Sequence, residues 1–84
     1  MKTNEKSNIN IEDIKNQISK NIGKKIKIQE SNKAGKKIKE FEGEILSTYD
    51  SLFIVKVQIR TNFLNKSFSY IDFLTNEMTF EIIN

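Results

Sequence analysis

Between Phe41 and Val57 the chain places two runs of apolar and β-branched residues, Phe41-Glu42-Gly43-Glu44-Ile45-Leu46-Ser47-Thr48 and Leu52-Phe53-Ile54-Val55-Lys56-Val57, on either side of Tyr49-Asp50-Ser51. This is the densest β-forming stretch in the sequence, and it reads as a central hairpin. Asp50 and Ser51 carry short side chains that hydrogen-bond to local backbone and stabilise a reversal. A three-residue loop at 49–51 sets Ile45 opposite Val55, Glu44 opposite Lys56 and Glu40 opposite Arg60, so that unlike charges meet across the strands. Gly43 sits inside the first run, where a missing side chain marks a bulge, a bend or the close approach of another backbone.

The rest of the chain is read outward from that hairpin. Residues 1–8 are polar and aperiodic and are expected to be a mobile tail. Asn10 is a good N-cap with Asp13 three residues on, and Ile9 and Ile14 occupy the positions of a hydrophobic staple. Ile11, Ile14, Ile18 and Ile22 form one apolar stripe, and Gly23 follows, so a helix is expected over about 11–21. A helix this short must dock on something to be stable; packing across the sheet and insertion into a partner's groove are the two destinations.

Lys24 to Ser31 reads as the first strand, with Ile26 and Ile28 on one face, and Asn32-Lys33-Ala34-Gly35 as a turn. Lys36 to Ser47 is the second strand. Its apolar phase changes between Ile38 and Phe41, which calls for a bulge near Lys39 or Glu40. Leu52 to Arg60 and Phe63 to Tyr70 follow as strands, Phe68 and Tyr70 sharing one face. Residues 71–77 lack period 2, as a turn of 3₁₀ helix does, and Met78 to Ile83 is the fifth strand. The fold class is therefore mainly β (α+β). An N-terminal helix precedes a five-stranded SH3-like or Sm-like small barrel over about 24–83, one domain spanning 9–84. An OB-fold commonly places a helix between the third and fourth strands, and none is written there.

Composition narrows the chemistry. The 84 residues include no cysteine and no histidine, which removes thiolate sites, disulfides and the commonest general base and zinc ligand. No apolar run approaches the roughly 20 residues of a membrane span, and Met1 to Ile11 is too polar for a signal h-region, so the default compartment is the cytoplasm. The net charge of +3 is uneven: residues 1–40 carry +6 and residues 41–84 carry −3. Such a split can mark a surface for an acidic partner, including nucleic acid, although an AT-rich coding sequence also writes many lysines.

Three segments resemble a known family. They are Asn21-Ile22-Gly23-Lys24-Lys25-Ile26, the run from Gly43 through Thr48-Tyr49-Asp50-Ser51 to Val55, and Ser67-Phe68-Ser69-Tyr70-Ile71-Asp72-Phe73-Leu74-Thr75. In that order they are similar to the Veg proteins, small cytoplasmic proteins of Gram-positive and related bacteria, over about residues 11–82. The resemblance implies an SH3-like fold, stimulation of biofilm formation, a link to transcriptional control, and no established catalytic residue. No enzymatic activity and no cofactor are expected.

The candidate contact residues are Lys24, Lys25, Lys27, Lys33, Lys36, Lys37 and Lys39, which share one hairpin, with Tyr49 at the adjacent turn as a stacking ring. Lysines neutralise phosphates without reading bases, so the expectation is weak, salt-dependent nucleic-acid binding. The alternative is a protein-interaction module that meets a transcription regulator through its helix, a sheet edge or its aromatic surface. A homodimer is compatible with the open edges such a sheet can leave. Phe63 is the second ring expected at the surface. Glu40, Glu42 and Glu44 alternate along one strand, but pairing with Lys56 and Arg60 explains them better than a divalent cation does. Lys66 and Ser67 cannot form a nucleophilic dyad, because neighbours on a strand point to opposite faces.

Overall fold

In a computed structural model, which describes residues 10–32, 34, 36–75 and 77–83, the first element begins where its cap predicts. The side-chain oxygen of Asn10 accepts a hydrogen bond from the Asp13 backbone N–H at 3.0 Å, satisfying one of the orphan donors of helix α1 (Ile11–Ser19). The tail at 1–8 and the staple residue Ile9 lie outside the described residues. Helix α1 stops two residues earlier than its apolar stripe suggests. Lys20 caps it, Asn21 donates back to Ile18, and Gly23 takes a left-handed φ of 92° that turns the chain into the sheet. Ile14 and Ile18 are buried as expected, whereas Ile22 falls beyond the last helical turn and is exposed.

Five antiparallel strands follow: β1 (Lys25–Ser31), β2 (Lys37–Thr48), β3 (Leu52–Ile59), β4 (Asn62–Ser69) and β5 (Met78–Ile83), with a 3₁₀ helix over Tyr70–Leu74 between the last two. Their order in the sheet is β4-β3-β2-β1-β5. The fold is thus mainly β, one N-terminal helix and one five-stranded sheet, with β4 and β5 as its edges. The closed barrel expected from the sequence is not seen. β4 pairs only with β3 and β5 only with β1 among the described residues, because closure would require the two edges to meet.

Next to the turn the central hairpin is one residue out of the predicted register, with Thr48 opposite Phe53 and Ser47 opposite Ile54, and the irregularity at Leu46 brings it into the predicted one. Beyond it Ile45 lies opposite Val55 and Glu44 opposite Lys56, as expected, while at the turn the Tyr49 N–H donates to the Leu52 carbonyl and closes a loop of two residues, Asp50 and Ser51, in place of the expected three. Glu40 does not face Arg60, however. Pairing between β2 and β3 ends at Gly43 opposite Val57, and the remainder of β2 runs against β1, with Glu40 opposite Gln29. Gly43 is the point of divergence. A Cβ there would stand 2.2 Å from the Lys56 carbonyl oxygen, so only glycine allows the approach. The phase change in β2 is resolved by an irregularity at Ile38, one residue before the expected place, and a second interrupts the pairing at Leu46.

The core lies between α1, the 3₁₀ helix and one face of the sheet. Ile14 and Ile18 meet Ile26, Ile28, Ile45, Phe53, Val55 and Val57 there. Phe53 is its centre, with ring centroids 5.7 Å from Phe68, 5.5 Å from Tyr70 and 5.8 Å from Phe73. Aromatic pairs at such spacing add about 0.5–1.5 kcal/mol each beyond the area they bury. Phe68 and Tyr70 both point inward, as the alternation requires.

Candidate interaction surface

Side chains on β1 alternate between the core and solvent. Ile26 and Ile28 face in, so Lys25 and Lys27 face out, and cross-strand pairing decides what they meet. Lys25 is opposite Glu44, which is itself opposite Lys56. Lys27 is opposite Glu42 on one side and Glu81 on the other, and its Nζ lies 3.8 Å from the Glu40 carboxylate. Lys37 donates to Glu40 at 2.8 Å. That hydrogen bond holds the Glu40 carboxyl below its ordinary value of 4.5, against a smaller opposing effect of burial and with further help from the charges of Lys37 and Lys27. The outer face is therefore a checkerboard of opposite charges. It also accounts for Glu40, Glu42 and Glu44, and no group of three acidic side chains among the described residues converges where a cation could sit.

The lysines of the hairpin do not share one face. Lys39 lies opposite Glu30, on the side to which Ile26 and Ile28 point, whereas Lys25 and Lys27 occupy the other side. Lys24 and Lys36 are exposed at opposite ends of the hairpin, and Lys33 lies outside the described residues. Asn32 shapes the turn near Lys36, its side-chain oxygen accepting from the N–H groups of Ala34 and Lys36. Tyr49 is exposed at its turn, with its hydroxyl 3.5 Å from Ser47 Oγ, at the far end of β2 from Lys36 and Lys37.

Sequence reasoning missed a groove on the core side of the sheet. Its floor is Phe41, Phe68 and Met78, and it encloses about 480 Å³. Phe41 and Phe68 meet edge to face at 5.8 Å, and the Lys66 ammonium lies 5.2 Å from the first ring and 5.9 Å from the second. Glu30, Asp72 and Glu77 stand along the rim against Lys39, and Ile71 projects from the 3₁₀ helix, exposed. The only sequence signal for it is the aperiodic run Ile71-Asp72-Phe73-Leu74, which presents apolar residues in two directions. Phe73 and Tyr70 go into the core, and Ile71 and Leu74 go out.

Tyr70 is completely buried, and its hydroxyl has no hydrogen-bond partner of good geometry, although Thr48 and the Tyr49 backbone are near. Burial pushes its ionisation above the usual 10.0, with those neighbours acting weakly in the opposite sense. Tyr70 is thus a structural ring, neutral at physiological pH. Among the described residues no helix is long and apolar enough to cross a membrane.

The exposed surface thus combines a mixed-charge outer face with an aromatic groove on the core side. Comparison of the sequence with curated proteins returns no match. The family model described as biofilm formation stimulator VEG matches residues 9–81, a span that takes in helix α1, strands β1 to β4, the first four residues of β5 and the groove, and the chain belongs to that family.

Proposed function

We propose that this protein is a non-enzymatic, cytoplasmic regulator linked to transcriptional control of biofilm formation, and that it acts by gripping an apolar, positively charged segment of a protein partner, such as a transcription regulator, in the groove floored by Phe41 and Phe68. Family membership implies stimulation of biofilm formation, and the family is not known as one of enzymes. The observation that carries the choice of partner class is the exposed Ile71 beside two rings that meet edge to face, with Glu30, Asp72 and Glu77 outnumbering Lys39 on the rim. Apolar anchors with a charged rim favour a protein segment over phosphate.

The neutralised outer face supports the same choice, because Lys25, Lys27 and Lys37 already have carboxylates to answer them. A second reading rests on the exposed ammonium groups of Lys24, Lys36 and Lys39, which could add weak, sequence-blind contacts to nucleic acid. Capture of partners from a lysate with and without nuclease separates the two. The protein reading expects partners that survive nuclease, are lost with Ile71→Asp and are kept with Lys36→Glu. Loss on nuclease treatment, or insensitivity to Ile71→Asp, would refute it. Titration of a labelled duplex at two salt concentrations measures what remains of the nucleic-acid reading.

A further inference from the structure

Among the described residues, strand β4 is an edge that lacks the usual protections. Its pairing with β3 runs without a bulge from Ser69 opposite Leu52 to Asn62 opposite Ile59, and the chain has no proline to interrupt it. Natural edges are blunted by charge, proline, bulges or cover. The single charge on β4 is Lys66, whose ammonium is folded over the rings of Phe41 and Phe68.

Apolar side chains are exposed on both faces of this edge. Phe63 is on the outer face, 59% exposed, with the Lys56 ammonium 4.8 Å from its ring. Leu64 lies opposite Val57 on the inner face, 51% exposed, next to Ile59 at 46%. A docked helix covers one face of a sheet only. A strand added to the edge covers both.

We propose that two copies of this chain pair through β4, antiparallel and about a two-fold axis at Leu64, to make one continuous ten-stranded sheet. In that register Leu64 meets its own counterpart on the inner face with an Ile59 on each side, and Phe63 reaches its counterpart diagonally on the outer face, a separation rings can bridge. Asn62 faces the partner's Lys66, and Phe63 the partner's Asn65, so no like charges are set opposite one another. The arrangement is isologous, each copy offering the same patch, as a closed dimer requires. A head-to-tail alternative joining β4 to the partner's β5 gains nothing from charge. Lys66 faces the inner side and Glu81, opposite Lys27, the outer, so a continuous sheet would hold them apart.

The test uses the full chain, which has no cysteine of its own. Leu64→Cys is expected to form a disulfide-linked dimer under mild oxidation, because directly opposed strand residues have Cβ atoms about 4.5–5.5 Å apart. Thr79→Cys on β5 is expected to stay monomeric under the same conditions. Sedimentation equilibrium of the unmodified protein should show a concentration-dependent dimer that Leu64→Glu weakens by about tenfold or more, from two carboxylates facing each other at the axis. Asn62→Lys, which faces the partner's Lys66 at both ends of the seam and Ile59 within its own chain, provides the same reading should Leu64→Glu fail to fold. A monomer at every concentration, equal cross-linking through Thr79→Cys, or a dimer indifferent to the charge variants would overturn the proposal. None of these results depends on the groove, so the two proposals stand or fall separately.

Discussion

The two ends of the β3–β4 hairpin have similar composition and opposite fates. At the Leu52 and Ser69 end, Phe53 packs against Tyr70 and Phe73 of the 3₁₀ helix and against Phe68, and both Phe53 and Phe68 are buried. At the Ile59 and Asn62 end, Ile59 and Leu64 point the same way from the same sheet and nothing among the described residues covers them. Hydrophobicity alone therefore does not assign a residue to the core. The reach of the covering elements does: the rings of Tyr70 and Phe73 from the 3₁₀ helix meet Phe53, and neither packs at the Ile59 end.

Three substitutions bear on that contrast. Phe53→Ala should cost the most, about 3–5 kcal/mol in urea unfolding, because it opens a cavity among Phe68, Tyr70 and Phe73; a loss below about 1 kcal/mol would mean that the covered end is not the folding core. Gly43→Ala lies between the two ends. Its Cβ meets the Lys56 carbonyl, so a destabilisation of about 1–3 kcal/mol is expected, and amide exchange should speed up at Val55 and Val57. Ile59→Thr should change the stability of the protein in dilute solution by no more than about 0.5 kcal/mol, and a larger loss would show that the open end is packed after all.

Much of this was legible in the residues because the strongest signals were local. The polar stretch Tyr49-Asp50-Ser51 marks the reversal between β2 and β3, though the pairing of Ile45 with Val55 is reached only through the irregularity at Leu46, and Met78–Ile83 forms β5 to the residue. The resemblance carried by Thr48-Tyr49 and Ser67-Phe68-Ser69-Tyr70 lies within the span that the VEG family model matches. What failed was long-range. Which strand β2 accompanies beyond Gly43, and whether the two edges meet, depend on contacts between segments far apart in sequence. The lysine band failed for a related reason. Its members were grouped by hairpin, whereas alternation, and the β2 irregularity at Ile38, distribute them between faces. The groove stayed hidden because Phe41, Lys66 and Ile71 come from three separate elements and look unremarkable in each.

Strand β1 has a neighbour on its second side only through β5. Every other adjacent pair in the sheet is joined by a hairpin and can close as soon as both strands exist, whereas Ile28 waits for Phe80 across three intervening strands. During synthesis on the ribosome β1 thus emerges with one flank unpaired and keeps it so until β5 follows. Lys25 and Lys27 give that strand charged side chains on its outer face, the kind of residue that natural edge strands carry against pairing with other chains.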